Sequence, residues 1–259
     1  MLLENKVVVI SGAGPGMGQA LARVAAREGA KIVLGARSAD FIEGVAGEIR
    51  AEGGEAIAVP TDVGDADQCR ALAAAATQAF GTIDGLVNSA YIHGAWTTVD
   101  QADPDDWAKV FDVNCLGALR MTQAVLPTMQ AAGGGAVVSV ATMSQVAPFP
   151  GEGGYASAKG ALTTMTRHMA QDFGRWNVRV NAARMGWIGG KPVHDWIDRE
   201  VAGGADRDAL VAGITARIPL GVIPPEEECA KSVLFFVSDY AKMVTGATLD
   251  VNGGQYMAP

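Results

Sequence analysis

A tyrosine and a lysine in one predicted helical stretch, Tyr155 and Lys159, have types and a spacing that suit proton transfer. Residues four apart lie one turn apart on the same face of a helix. A free tyrosine titrates at about pH 10, too high for an efficient base at neutral pH. A lysine ammonium nearby favours the phenolate and lowers the pKa of the tyrosine. The spacing alone also fits a partly buried ring beside a solvated lysine, so the surrounding sequence must decide.

A glycine-rich segment near the N-terminus, Ser11-Gly12-Ala13-Gly14-Pro15-Gly16-Met17-Gly18, follows an apolar run and precedes a predicted helix. Glycines let the chain turn tightly and let backbone amides approach a pyrophosphate, which a helix N-terminus attracts. A glycine-rich loop alone is weak evidence, because tight turns need glycine in any case. Its place between the first strand and the first helix of an α/β chain indicates a dinucleotide site.

The end of the second predicted strand reads Leu34-Gly35-Ala36-Arg37-Ser38 and carries no carboxylate. An acidic residue there would bind the ribose 2′-hydroxyl of NAD, whereas an arginine accommodates the 2′-phosphate of NADP. The guanidinium of Arg37 suits bidentate contact with a phosphate. The sequence therefore favours NADP(H) as the cofactor and leaves NAD(H) possible.

Apolar, β-branched runs of strand length alternate with stretches of helical period along most of the chain. This alternation indicates a parallel sheet with helices on both faces. It predicts an α/β, Rossmann-like, doubly wound fold with ligands at the carboxyl ends of the strands. We expect one dinucleotide-binding and catalytic domain over residues 1–259, because no linker or repeat divides the chain. The predicted strands are Val7 to Ile10, Lys31 to Leu34, Ala56 to Pro60, Gly85 to Asn88, Ala136 to Val140, Val178 to Ala182 and Thr248 to Val251; the predicted helices are Gln19 to Glu28, Phe41 to Glu52, Asp65 to Phe80, Pro104 to Gln130 and Tyr155 to Phe173.

One segment, residues 186–225, breaks this alternation after the sixth predicted strand. It is mixed in charge, lacks a clean strand–helix pattern, and contains Trp187, Trp196 and the pair Gly203–Gly204. A long insertion just past the carboxyl end of a strand is a candidate lid over a substrate. A surface excursion without a role is the alternative interpretation.

The composition excludes several classes of function. Lys and Arg total 20 against 28 Asp and Glu, a net charge of -8, so nucleic acid and anionic membranes are not expected partners. Three cysteines and three histidines show no metal-like spacing, and we expect no metal site. No export signal precedes the first strand and no long apolar run is present, so we expect a cytoplasmic protein without a membrane span.

Taken together, these motifs resemble the short-chain dehydrogenase/reductase family over nearly the whole chain, about residues 3–257. The glycine loop has that family's spacing rather than the commoner G-x-G-x-x-G form, and the tyrosine and lysine match the family's pair. Any single match is weak, but all of them occur in register. The further matching segments are Asp62-Val63, Asn88-Ser89-Ala90-Tyr91, Asp112-Val113-Asn114, and Thr245-Gly246 through Asp250-Val251-Asn252-Gly253-Gly254.

The resemblance implies roles for individual residues. Tyr155 would act as acid or base on the substrate oxygen, Lys159 would bind the nicotinamide ribose, and Asn114 would support a relay water. The catalytic set it implies also includes the hydroxyl of Thr142. The cofactor-binding set is Ser11, Gly12, Gly14, Gly16, Met17, Gly18, Arg37, Asp62, Val63, Asn88, Ala90, Tyr155, Lys159, Gly186 and Ile188; the substrate set is Tyr91, Thr142, Ser144, Tyr155 and Trp187.

The chain departs from the family pattern mainly on the substrate side. Thr142 stands where the family usually has a substrate-orienting serine, and Ser144 could take over that role. Tyr91 replaces a glycine, which should narrow the pocket or offer a ring to the substrate. Met185 replaces the usual proline before Gly186, and Gly190 stands where relatives often carry a threonine near the cofactor.

The sequence thus predicts a hydride transfer between a nicotinamide cofactor and a secondary alcohol or ketone, expected to be apolar or alicyclic. The alternative is a catalytically inactive NADP(H)-binding sensor or interaction protein. Enoyl reduction is disfavoured, because that branch of the family separates its tyrosine and lysine by more than the three residues found here. Ketoacyl reduction on an acidic carrier stays open, although no basic patch is obvious. The family also implies a homotetramer built on the long helices and on the C-terminal segment.

Overall fold

The computed structural model describes residues 1–258, and in that range seven parallel strands form one sheet. The strand order is β3-β2-β1-β4-β5-β6-β7. The central strands are apolar along their length and buried on both faces, as expected when helices cover the two faces of a parallel sheet. The strands are β1 (Val7–Ser11), β2 (Lys31–Ala36), β3 (Ala56–Pro60), β4 (Gly85–Asn88), β5 (Gly135–Thr142), β6 (Val178–Met185) and β7 (Thr248–Val251).

Helices cover both faces of this sheet and bury two apolar layers. One layer joins Leu21, Ile42 and Leu234 to the sheet, and the opposite layer includes Leu72 and Val125. The predicted α/β, doubly wound, Rossmann-like fold is therefore confirmed. The helices are α1 (Met17–Arg27), α2 (Ala39–Ala51), α3 (Ala66–Phe80), α4 (Pro104–Phe111), α5 (Gly117–Ala131), α6 (Gly153–Phe173), α7 (Lys191–Ala202), α8 (Arg207–Thr215) and α9 (Glu226–Val237).

The strand order reverses its direction of growth between β1 and β4, which are neighbours in the sheet although two strands separate them in sequence. At such a switch point the loops leaving adjacent strands run in opposite directions and leave a crevice at the carboxyl ends of the strands. The loops after β1, β4 and β5 therefore meet at one edge of the sheet.

The structure differs from the sequence-based expectations in three elements. The predicted helix over residues 104–130 is interrupted by a wider, π-helical turn at Asp112–Leu116. The segment 186–225 contains two helices, α7 and α8, rather than irregular chain. Helix α9 was not predicted, although three acidic residues in its first turn and apolar residues on its buried face signal it.

None of the helices in residues 1–258 combines the length and the hydropathy that a membrane crossing requires. All three cysteines are free and buried. Within the same residues no group of three or more His, Cys, Asp or Glu side chains is arranged to hold a metal ion.

Candidate active site

A cavity of about 1530 Å³ opens at the carboxyl ends of the central strands. Its walls come from the glycine loop after β1, from the ends of β2, β4, β5 and β6, and from helices α7 and α8. Pockets that hold drug-sized ligands usually measure roughly 300 to 1,000 Å³. This cavity therefore has room for a dinucleotide together with a small substrate.

The glycine loop packs so tightly that side chains are excluded at two of its positions. A Cβ on Gly12, which has a φ of 86°, would lie 2.2 Å from the backbone nitrogen of Ala90. A Cβ on Gly18 would lie 2.2 Å from the carbonyl oxygen of Gly12. Gly14, which lines the cavity as they do, differs because a Cβ there would meet nothing within 4 Å. The loop thus holds its backbone close to the sheet and leaves an open approach at Gly14 and at the N-terminus of α1, as a bound pyrophosphate requires.

The far end of the cavity is lined by Arg37, Ser38, Asp62 and Val63, which follow β2 and β3. Arg37 is exposed, so its guanidinium is free to move toward a phosphate. Asp62 accepts a hydrogen bond from the backbone amide of Gly64 at 2.8 Å, which fixes the turn after β3. These residues fit the adenosine half of a dinucleotide.

Tyr155 and Lys159 lie on the first turns of α6, and both line the cavity. The ammonium of Lys159 is 2% exposed and donates to the carbonyl oxygen of Val140 at 2.7 Å. Thr142 ends β5, and its Oγ1 lies 3.2 Å from the Oγ of Ser144. The structure therefore brings the predicted tyrosine, lysine, threonine and serine together beside the glycine loop.

The environment of Tyr155 raises the pKa of its phenol above the ordinary value. Burial is the largest cause, and the negative charges of ionised Tyr91 and Glu152 add to it. A hydrogen bond with Thr142 acts in the opposite direction. Burial also lowers the pKa of Lys159 to about 8. Lys159 is not among the groups that shift the pKa of Tyr155, so the lowering of the tyrosine pKa expected from the spacing is not found here.

Asn114 lies in the π-helical turn and is 1% exposed. Its amide oxygen accepts from the backbone N–H of Ile92, and its amide nitrogen donates to the carbonyl oxygen of Ile92, both at 2.8 Å. The side chain therefore ties the loop after β4 to the turn between α4 and α5. The wider turn presents Asn114 toward that loop.

Two predicted cofactor-binding residues, Ser11 and Asn88, lie beneath the cavity wall at the ends of β1 and β4. The amide of Asn88 donates to the Oγ1 of Thr122 at 3.2 Å, and Asn88 is 3% exposed. Ser11 is 1% exposed. Neither side chain lines the cavity, whereas Ala90 lines it directly. Asn88 is bonded to α5, and the hydroxyl of Ser11 has no hydrogen-bond partner within residues 1–258.

The half of the cavity around Tyr155, in which the sequence predicts that the substrate binds and which we term the substrate half, is rich in aromatic rings, including the predicted Tyr91 and Trp187. The Tyr91 and Tyr155 ring centroids lie 6.1 Å apart, and those of Trp187 and Trp196 lie 5.5 Å apart. Gly186 and Ile188 also line the wall, next to Trp187. In the loop after β6, the residues predicted to bind the cofactor, Gly186 and Ile188, thus line the same wall of the cavity as Trp187, which is predicted to bind the substrate.

Sequence reasoning missed a polar pair in this half, His93 and Glu152. The imidazole of His93 stacks on Trp96 with centroids 3.9 Å apart and on Tyr155 at 4.9 Å. Its Nε2 lies 3.5 Å from Oε1 of Glu152. Among residues 1–258, neither ring nitrogen of His93 nor the Oε2 of Glu152 has a hydrogen-bond partner. The signal in the sequence was faint, since it consisted only of an acidic residue three positions before Tyr155 in a segment rich in proline and glycine.

Comparison with known proteins gives consistent relatives over the whole chain. A sequence model described as Enoyl-(Acyl carrier protein) reductase matches residues 12–255. L-rhamnose 1-dehydrogenase (NAD(P)(+)) of Azotobacter vinelandii is 35% identical over 264 residues, covering 99% of each chain. 2-(S)-hydroxypropyl-CoM dehydrogenase 3 of Xanthobacter autotrophicus is 33% identical, covering 97% of each chain.

The structure also resembles solved structures. That of levodione reductase superposes with a TM-score of 0.90 at 29% sequence identity, covering 98% of each chain. A short-chain type dehydrogenase/reductase from Mycobacterium ulcerans also gives a TM-score of 0.90 at 25% identity. These matches span the glycine loop, the tyrosine–lysine helix and the C-terminal strand together. The chain therefore belongs to the short-chain dehydrogenase/reductase family of oxidoreductases.

Proposed function

We propose that this protein is an NADP(H)-dependent oxidoreductase that transfers a hydride between the cofactor and a secondary alcohol or ketone. One observation carries the proposal: Tyr155, Lys159 and Thr142 line the same cavity as the open glycine loop. The proposal is supported because a side chain able to transfer a proton shares one cleft with a loop that fits a dinucleotide. The nicotinamide supplies the hydride when bound.

Proton transfer falls to Tyr155. Because its environment raises the pKa of the phenol, Tyr155 is protonated at neutral pH and suited to donate to the oxygen of a ketone. Alcohol oxidation requires the phenolate, so it should gain from higher pH. The hydroxyl of Thr142, which hydrogen-bonds with Tyr155, would hold the same substrate oxygen.

Lys159 and Asn114 act around this centre. The ammonium of Lys159 uses one of its donors on Val140, which leaves others for the ribose hydroxyls of the cofactor. Each polar atom of Asn114 makes a bond to Ile92 and retains capacity for one more. The amide of Asn114 therefore has the capacity to bind a relay water, and that water stays a prediction.

Arg37 supports the choice of NADP(H) over NAD(H). Its exposed guanidinium lies at the ribose end of the cavity, and among residues 1–258 it forms no ion pair. A guanidinium without an internal partner is available for a 2′-phosphate. The Azotobacter relative is named for both cofactors, so NAD(H) stays a second option.

The substrate would be a compact, largely apolar or alicyclic molecule, since rings surround the position in front of Tyr155. Helices α7 and α8, within the segment 186–225, would act as a lid that closes over it. Several relatives are named for alcohol substrates of small size, among them two 4-hydroxycyclohexanecarboxylate dehydrogenases of Sinomonas cyclohexanicum. The homotetramer and the cytoplasmic location are further expectations; sedimentation that shows only monomer would contradict the first.

The direct test measures oxidation or reduction of the nicotinamide with a panel of secondary alcohols and ketones. We expect turnover with at least one alicyclic member and a higher kcat/KM with NADP(H) than with NAD(H). Cofactor binding without turnover across the panel would favour the inactive sensor or interaction protein instead. A protein that bound neither cofactor would contradict both assignments.

A further inference from the structure

Glu226, the first residue of α9, carries a carboxyl oxygen that the mechanism does not use. Its Oε2 is shielded from solvent and has no hydrogen-bond partner within residues 1–258. Helix α9 packs against α1, which starts directly after the glycine loop. An unpaired buried carboxyl is costly to fold, so its position calls for a function.

The carboxyl of Glu226 lies against two glycines that line the cofactor end of the cavity. A Cβ on Gly190 would lie 2.5 Å from Oε2 of Glu226, and a Cβ on Gly16 would lie 3.8 Å from it. Both glycines line the cavity, while Glu226 lies just behind them. Gly190 therefore leaves the space that the carboxyl occupies, and the Glu226 side chain would have to move if residue 190 carried a side chain.

The charges around this carboxyl are few. Arg23 on α1 and His194 on α7 lower the pKa of Glu226, Glu227 on α9 raises it, and a hydrogen bond with Gln19 on α1 lowers it. Arg23 is already engaged by Glu48 at 2.6 Å. Burial is the largest influence, and it raises the pKa of Glu226 above its ordinary value.

We propose that Glu226 belongs to the dinucleotide site and that the cofactor binds preferentially when the Glu226 carboxyl is protonated. This inference rests on the proposed function, because it concerns the same glycine loop. An ionised carboxylate behind Gly16 and Gly190 repels the pyrophosphate that the loop would hold, and the shielded Oε2 is the oxygen that lies against these glycines. Protonation removes the repulsion, so cofactor binding and proton uptake favour each other reciprocally.

The sign of the effect follows from this linkage. A bound pyrophosphate disfavours the carboxylate, so the pKa of Glu226 is higher in the complex than in the free protein. Cofactor affinity is then constant below the free-protein pKa and falls as pH rises through it. The decline ends above the pKa of the complex. A shift of one pKa unit corresponds to about a tenfold loss of affinity across that range.

The experiment measures the dissociation constant of NADPH by fluorescence titration from acidic to alkaline pH, without any substrate. The comparison uses the wild type, Glu226→Gln, Glu226→Ala and the control Glu228→Gln, whose native carboxylate pairs with Lys231 at the surface and is not among the groups that shift the pKa of Glu226. Other groups, such as Lys159 and the 2′-phosphate, titrate in every variant. The informative quantity is therefore the difference between each variant and the wild type at each pH.

We expect the two Glu226 variants to bind NADPH like the wild type at acidic pH and about tenfold more tightly at alkaline pH. Glu228→Gln should follow the wild type. Superimposed curves of NADPH affinity against pH for all four proteins would overturn the inference. Tighter binding by the Glu226 variants to the same extent at every pH would also overturn it, because the carboxyl would then be ionised throughout. Failure of the wild type to bind either NADPH or NADH would instead overturn the proposed function, and this inference with it.

Discussion

The two halves of the cavity are built by different means. The cofactor half is formed by strand ends and by the glycine loop, where Gly12 and Gly18 leave no room for a Cβ. The substrate half is formed by loops and by helices α7 and α8, and its surface consists of side chains such as Tyr91, His93 and Trp187. One half is specified by backbone contact, the other by the choice of side chains.

This difference implies two kinds of sensitivity to mutation. Substitutions in the cofactor half should change the folding free energy or the binding of the cofactor, whichever substrate is used, because the backbone there cannot move aside. Substitutions in the substrate half should change kinetics or pH dependence and leave the folding free energy nearly intact. Substitutions in each half can test that contrast.

The largest effect is expected for Gly12→Ala. The new Cβ would overlap the backbone of Ala90, and a φ of 86° is unfavourable for alanine. We expect a loss of about 3 kcal/mol in the free energy of unfolding. Gly14→Ala is the matched control, since its Cβ would meet nothing within 4 Å. Urea denaturation of both variants measures the contrast, and equal stability of the two would contradict the packing of the loop.

A smaller effect is expected for the substrate-orienting hydroxyl. Thr142→Ala should lower kcat more than tenfold, equivalent to about 1.4 kcal/mol of barrier, because it removes the bond with Tyr155. Thr142→Ser keeps the hydroxyl and should be tolerated. Ser144→Ala should cost less than Thr142→Ala. Steady-state kinetics on one substrate at saturating cofactor rank them, and the reverse ranking would assign the role to Ser144.

Arg37→Asp should shift the cofactor preference by about tenfold from NADP toward NAD. A carboxylate repels the 2′-phosphate and can accept a bond from a 2′-hydroxyl. Arg70→Asp makes the same charge change on the exposed face of α3 and should leave the preference unchanged. The measurement is kcat/KM for both cofactors; a wild type that prefers NAD would refute the choice of NADP(H).

The smallest effect is a shift in pH dependence caused by Glu152→Gln. The Glu152 carboxylate raises the pKa of Tyr155, so its removal should lower that pKa. Alcohol oxidation needs the phenolate, so kcat/KM for oxidation should rise with pH as Tyr155 ionises. In Glu152→Gln this rise should occur at a pH lower by less than about one unit. Glu55→Gln, on the surface beside Lys31, serves as the control. A rise at the same or a higher pH would contradict this influence of Glu152.

Most of the fold can be predicted from the sequence, because apolar runs and helical periodicity are local signals. The apolar runs predict all seven strands, with β5 and β6 extending two to three residues further than expected because their ends pair with each other at Thr142 and Met185. The π-helical turn at Asp112–Leu116 was not foreseen, since it depends on the bonds between Asn114 and a distant loop. Helix α9 could have been found from its acidic first turn and apolar face.

In the site, too, the residues with local signals could be predicted from the sequence and the others could not. Glycine spacing and the tyrosine–lysine pair locate the cofactor half from sequence, because a tight backbone turn needs glycine wherever it occurs. His93, Glu152 and Glu226 were missed, since each acquires its meaning from residues far away in the chain. Their burial and missing hydrogen bonds within residues 1–258 emerge only when loops from different strands meet.

Tyr155 is proposed to transfer the proton, while the glycine loop is proposed to hold the cofactor. The most direct measurement compares turnover and NADPH affinity in the wild type and in Tyr155→Phe, with the best substrate from the panel. We predict a loss of about 10² to 10⁴ in kcat with nearly unchanged cofactor affinity. Lys159→Met should weaken both quantities, since its ammonium serves both. Wild-type turnover by Tyr155→Phe would contradict the account.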